Sequence, residues 1–286
     1  MTLLPSRRPG FPERIVCMTE ETTETLYLLG EDWRIVGISG FTVRPPQARR
    51  EKPKVSTFTS ADIGAIAALK PDLVLGFSDL QAGIAADLIR AGLELHIFNH
   101  RSVPEILRTI RIIGGLVGAH ERADALVAEL EAGLDKIRES AALLERHPRV
   151  YFEEWDEPQI SGIRWVSELV EIAGGIECFP ELRSASLARD RFITDPLEVP
   201  RRNPDLIIGS WCGKEFKPDR VRRRPGWQDV PAIRDGELHE VRSALILQPG
   251  PAALTDGVRA LHAIISGWAT RQGVKARARA GGAEGA

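Results

Sequence analysis

The chain has 286 residues, 43% of them hydrophobic, with 38 Lys and Arg against 40 Asp and Glu for a formal net charge of −2. That length and apolar fraction make it globular and large enough for two hydrophobic cores. The balanced charge excludes recruitment of the whole molecule by nucleic acid or an anionic membrane surface, so no nucleic-acid partner is expected.

Three scattered cysteines, Cys17, Cys178 and Cys212, show no metal-ligand spacing and suit a reducing compartment. The start, "MTLLPSRRPGFPERIVCM", puts Arg7, Arg8, Pro9 and Gly10 where a secretory signal needs an apolar stretch. No window approaches the roughly 18 consecutive apolar residues of a membrane span. With Met1 as the natural start, these features give a cytoplasmic protein without membrane insertion.

In chain order, "RIVCM" (14–18) reads as a buried strand. "TEETTETLYLLG" (19–30) follows as a helix with Thr19 as cap, glutamates in its first turn and Gly30 as its stop. "RIVGIS" (34–39) is a second strand. Ser60 and Asp62 open a helix that Pro71 ends, and "DLVLGF" enters the sheet after it. Asp79 caps a helix that stops at Gly92, and "ELHIF" (94–98) is the next strand. Strands separated by helices imply a parallel α/β sheet covered on both faces.

Two helices come next. "VPEILRTIRIIGGLVG" (103–118) carries one apolar stripe, and a longer Pro-free run reaches residue 147, long enough for a connecting rod. The strand–helix alternation then restarts. "RVYFEEW" (149–155) is a strand, "GIRWVSELVEIAGG" (162–175) a helix, and "DLIIGS" (205–210) and "GELHEV" (236–241) are strands. "PGPAALTDGVRALHAIISGWA" (249–269) is the closing helix. The segment "ALKPDLVLGF" (68–77) thus returns as "RRNPDLIIGS" (201–210), at a similar distance from the first strand of each half. Pro ends a helix, Asp-Leu enters the sheet, and Gly permits a sharp exit. The expected boundaries are an N-terminal α/β lobe at 1–101, connecting helices at 102–147, a C-terminal α/β lobe at 148–271 and a flexible tail at 272–286.

With these stretches, and with "PERIVCMTEETTETLYLLG" and "LILQPGPAALTDGVRAL", the chain resembles the substrate-binding proteins of ABC importers for cobalamin and iron–siderophores, over most of residues 12–271. The resemblance implies an α/β fold of two pseudo-symmetric parallel-sheet lobes joined by one long helix, with the ligand in the cleft between them. It also implies an ABC transporter permease as a partner, met through a docking glutamate on each lobe. Here Gly64 stands at the first-lobe position, and Glu198 is displaced by one residue in the second.

Ligands of open α/β sheets bind outside the C-terminal ends of strands. In the first lobe those ends offer Thr19, Phe41, Phe58 and Ser78, with Phe77 and His100 close by in sequence. In the second they offer Glu154 and Trp155, then Arg164 and Trp165 at a helix start, then Trp211 and Cys212 after the repeated strand. Large rigid aromatics there suit a bulky, nearly neutral ligand. Arg44, Arg164 and Lys214 are the expected cations, too few for a polyanionic siderophore complex, so cobalamin or another corrinoid is the expected ligand, with no resident cofactor required. The six histidines show no paired spacing, so no metal site is expected. The basic run "DRVRRRPGW" (219–227) reads as a solvated helix face. The chain is therefore read as a non-enzymatic binding protein. The alternatives are a cytoplasmic enzyme using the acidic "EEWDE" stretch, a cofactor chaperone or a sensor on the same fold.

Overall fold

The structure, a computed structural model, describes residues 10–283. Arg7, Arg8 and Pro9, on which the reading of the N-terminus rests, lie outside the described residues. The chain forms two compact units. The first holds residues up to His100 together with Pro104–Glu129, and the second holds Arg101–Val103 and the chain from Leu130 onward.

In the first unit β1 (Ile15–Cys17), α1 (Glu20–Leu28), β2 (Ile35–Ser39), α2 (Pro46–Glu51), β3 (Lys54–Ser56), α3 (Ile63–Ala68), β4 (Leu73–Phe77), α4 (Ala82–Arg90) and β5 (Leu95–Phe98) follow one another. The strands are parallel, in the order β3-β2-β1-β4-β5. From β1 the chain steps outward to β2 and β3, then returns to the other side of β1 for β4 and β5. That reversal makes the β1–β4 pair a topological switch point, the place where an open α/β sheet leaves a crevice at its strand ends. Val16, Val74, Ile66 and Leu88 pack one face into a core.

α5 (Val103–Leu116) buries Ile106 and Ile110. α6 (His120–Ala142) has 23 residues, about 35 Å at 1.5 Å per residue, and carries the chain from the first unit into the second without a break.

The second unit contains β6 (Arg149–Asp156), β7 (Gln159–Ser161), α7 (Arg164–Ile172), β8 (Ile176–Glu177), α8 (Glu198–Arg202), β9 (Leu206–Gly209), α9 (Pro218–Arg222) and β10 (Leu238–Glu240). Its sheet runs β10-β9-β6-β7, with β8 also on β6. β9 and β8 are parallel to β6, β10 is parallel to β9, and β7 folds back antiparallel as a hairpin. The closing helix, Val258–Ala283, follows a wider π-type turn over Ala253–Gly257. It continues through residues 272–283, where a tail was expected. The Ala- and Arg-rich "VKARARA" favours helix intrinsically. Residues 284–286 of that expected tail lie outside the described residues.

The repeated segment is one device used twice. Asp72 accepts hydrogen bonds from the backbone N–H groups of Glu13 and Arg14, at 2.7 and 2.8 Å, and so fastens the start of β1 to β4. Asp205 accepts one from the N–H of Arg149 at 2.8 Å and fastens the start of β6 to β9. Before each proline the chain ends its helix in the left-handed region, at Lys70 (φ 46°) and Asn203 (φ 52°). The repeated glycines do something other than permit a sharp exit. Neither Gly76 nor Gly209 has a positive φ; each makes room for a packed side chain. A Cβ on Gly209 would lie 1.9 Å from the Phe216 ring, and one on Gly76 would lie 2.7 Å from the Met18 and Ile97 side chains. The sharp exit falls instead on Ser78, at φ 77°.

Candidate functional site

At the first unit's switch point, Thr19 leaves β1 and Ser78 leaves β4. Both are buried. Thr19 makes no cap bond to the helix backbone; its hydroxyl goes to the Glu21 carboxylate at 2.5 Å. Ser78 donates to Asp79 Oδ1 at 2.9 Å and accepts from Leu80 N at 3.3 Å. The glutamates in the first turn of α1 are buried. Burial pushes the Glu20 carboxyl up to about 7 and that of Glu21 up to about 8, the latter against a partial opposing effect of the Thr19 hydroxyl.

Around this point the rings of Phe58, Phe77 and His100 form a chain, with centroids 6.5 Å apart for Phe58–Phe77 and 4.9 Å for Phe77–His100. Phe58 is half-buried, and Phe41 at the end of β2 is 52% exposed. The first unit thus leaves the Phe58 and Phe41 rings open near its switch point, while Phe77, His100 and both hydroxyl residues are buried. Arg44 is held by Glu24 at 2.8 Å.

The end of β6 in the second unit is built from ion pairs. Glu153, fully buried, accepts from both terminal nitrogens of Arg224 (2.5 and 2.9 Å), from the Tyr151 hydroxyl (3.1 Å) and from the Trp211 indole (3.0 Å). Glu154 takes a bidentate pair from buried Arg191, at 2.7 and 3.1 Å. Asp156 pairs with Lys214, and with Arg220 at 2.8 Å. Burial pushes the Asp156 carboxyl up, but the Lys214 hydrogen bond and the charges of Lys214 and Arg220 outweigh it and hold the group below its ordinary value. Glu157 meets Arg220 at 3.3 Å. Four carboxylates therefore face four cations. Trp155, half-buried, donates its indole N–H to Glu157 O at 3.0 Å and lies under the Lys214 ammonium, 3.8 Å from the ring centroid.

Beside this cluster, wholly within the second unit, lies a cavity of about 520 Å³ that includes Asp156, Gln159, Phe192, Arg220, Arg224 and Trp227 in its lining.

Several sequence expectations change here. Trp165 and Trp211 were expected to face a ligand and are core residues, 3% and 1% exposed. Trp165 donates to Ile246 O at 2.9 Å, while Trp211 packs edge-on against Phe216 with centroids 5.0 Å apart. Phe216 folds back over Gly209 and seals the indole beneath it. Arg164 sits at the start of α7 and is paired with Glu168 at 2.8 Å. Cys212 is exposed just beyond β9 and is in no disulfide. The basic run at 219–227 is not a wholly solvated face, because Arg220 and Arg224 turn onto Asp156 and Glu153. Arg191, Arg220, Arg224 and Gln159 were missed. Glu154, expected to be a ligand-binding residue at the strand end, is neutralised by the first of them. Gly64 on α3 is exposed, and Glu198 is tied to Arg201 and Arg202 at 2.7 and 2.9 Å. Among the described residues no group of His, Cys, Asp or Glu could hold a metal ion, and no helix is long and apolar enough to cross a membrane.

Two α/β units built on largely parallel sheets, with polar and aromatic groups at strand ends and one helix carrying the chain from the first unit into the second, define a two-lobed substrate-binding fold. The chain belongs to the periplasmic binding protein family, whose pattern matches residues 15–245. Members of that family bind small molecules and work with ABC transporter permeases. The chain is 26% identical over 264 residues to the ABC transporter substrate-binding lipoprotein YvrC of Bacillus subtilis (strain 168), covering 87% of this chain and 79% of that one. It is 25% identical over 178 residues to a cobalamin-binding protein of Halobacterium salinarum (strain ATCC 29341 / DSM 671 / R1), covering 61% of this chain and 48%, about half, of that protein. Among solved structures, the periplasmic heme-binding protein RhuT from Roseiflexus sp. RS-1 superposes with a TM-score of 0.74 at 25% identity, over 88% of this chain and 99% of that one. The vitamin B12 binding protein BtuF of Vibrio cholerae gives 0.69 at 19% identity, over 90% and 98%.

Proposed function

We propose that the protein binds a corrinoid, cobalamin or a close relative, as the substrate-binding partner of an ABC transporter permease. The observation that carries this choice is the charge balance at the end of β6, where Glu153, Glu154, Asp156 and Glu157 meet Arg224, Arg191, Lys214 and Arg220. A polyanionic siderophore complex needs a surplus of convergent cations, and here the cations are already matched by carboxylates. Haem also needs an axial donor from the protein. His100, two residues beyond the C-terminal end of β5, is buried against Phe77 and Phe98. A corrin carries its own cobalt ligands and asks only for area and hydrogen bonds. The relatives named for cobalamin support the same choice.

Binding rather than catalysis fits the pairing of Glu154, whose carboxylate is occupied by Arg191. Isothermal titration with cobalamin and cobinamide tests the reading. Heat of binding and colour retained through gel filtration are expected, and neither signal with either compound would reject the ligand.

A further inference from the structure

The cavity of the second unit carries a chemical preference that a corrinoid-binding function does not by itself require. Pro158, Phe192, Pro196 and Trp227 supply apolar walls, and the β6–β7 hairpin supplies Asp156 and Gln159. Two guanidinium groups also reach the cavity, yet both are engaged. Arg224 spends its two terminal nitrogens on Glu153, and Arg220 spends its own on Asp156 and Glu157. An incoming anion would meet guanidinium groups whose charge is already neutralised and would lie beside their carboxylates, like charge beside like.

The group left over is an amide. Gln159 is 9% exposed, lines the cavity, and its Oε1 has no hydrogen-bond partner among the described residues. Ser161 Oγ, two residues along β7, is buried in the same state. A buried polar oxygen without a donor is uncommon and points to a missing partner. The Oε1 is itself shielded from solvent, and the terminal torsion of Gln is soft, so a turn of the carboxamide is what brings its C=O and N–H edge to the cavity. It offers one acceptor and two donors, the pattern that another primary carboxamide meets with a reciprocal pair of hydrogen bonds.

We propose that this cavity is a carboxamide subsite, in which Gln159 pairs with an uncharged amide arm of the ligand while the occupied arginines leave a carboxylate arm unmatched. The inference deepens the corrinoid reading, since a corrin rim carries primary carboxamides where a haem rim carries carboxylates, but the chemistry of the cavity can be tested without a corrinoid.

Benzamide and benzoate are compact probes of equal shape and different charge. In ligand-observed NMR titrations of the full chain, benzamide binds roughly ten-fold more tightly than benzoate, as expected where a site is built to meet an N–H donor. Gln159→Leu brings the two within about two-fold of each other while leaving the melting temperature in place, because the Gln159 oxygen supports no other residue. Gln159→Glu keeps an acceptor for the amide and weakens benzoate further. Equal or tighter benzoate binding, no measurable benzamide binding, or a preference that survives Gln159→Leu would each overturn the proposal. Cobinamide separates the two readings. A Gln159-dependent benzamide preference without cobinamide binding removes the corrinoid and leaves the subsite. Cobinamide binding without that preference does the reverse.

Discussion

Replacing Arg224 by Met strips Glu153 of its cation while keeping most of the buried side-chain volume. Glu153 is fully buried, and among the described residues only the Tyr151 hydroxyl and the Trp211 indole would remain as donors to its charge. Breaking a buried pair from one side costs about 3–5 kcal/mol, because the remaining charge is left uncompensated. For a unit of this size each kcal/mol moves the midpoint by about 2–4 °C, so the second unit should melt roughly 6–20 °C lower. Differential scanning calorimetry reads the shift, and urea denaturation followed by circular dichroism reads the free energy. The double substitution Glu153→Gln with Arg224→Met removes both charges and keeps an oxygen for Tyr151 and Trp211, so it should recover most of the loss. A single-variant cost below about 1 kcal/mol, or a double variant no better than the single, would refute the view that this pair anchors the end of β6.

Three further outcomes are expected. Gly209→Ala would place a methyl 1.9 Å from the ring of Phe216, itself 3% exposed, and should cost about 2–3 kcal/mol in urea denaturation, partly restored by adding Phe216→Leu. Lys70→Asn installs at φ 46° the residue type that the second unit already uses at Asn203, and should stabilise by about 0.5 kcal/mol in the same assay. The raised carboxyls of Glu20 and Glu21, at about 7 and about 8, make the folded first unit hold protons that the unfolded chain has released above its ordinary glutamate range. Stability of that unit should therefore fall as pH rises from about 4.5 towards 8, and Glu21→Gln should flatten the slope in melts taken across that range.

The alternation of strands and helices could be read directly, because buried parallel strands leave continuous aliphatic runs such as "DLVLGF" and "DLIIGS". β3, β7 and β8 could not. They are two or three residues long, and Lys54, Gln159 and Glu177 break any apolar run. The Pro-Asp-Leu repeat was visible as a pattern, but its work was not. The Asp72 and Asp205 carboxylates bind N–H groups nearly sixty residues away, and the glycines answer to side chains from elsewhere in the chain, Gly209 to the Phe216 ring and Gly76 to Met18 and Ile97. The same blindness to distant partners explains the site. Trp211 follows a strand, as a ligand-facing residue would, yet Phe216 returns to cover it. Arg220 and Arg224 sit in a run of like charge that reads as solvated, yet each meets a carboxylate on β6. Position along the chain marks which residues reach a strand end. Only the return of the later loops decides which of them remain open.

The most direct test of the central claim is a competition. Purified protein is mixed with equal amounts of cyanocobalamin and haemin, and the absorption spectrum and mass of the small molecule that elutes with it are recorded. A corrin spectrum with the mass of the cobalt compound is the predicted result. A haem spectrum, or protein that elutes colourless, would contradict the account.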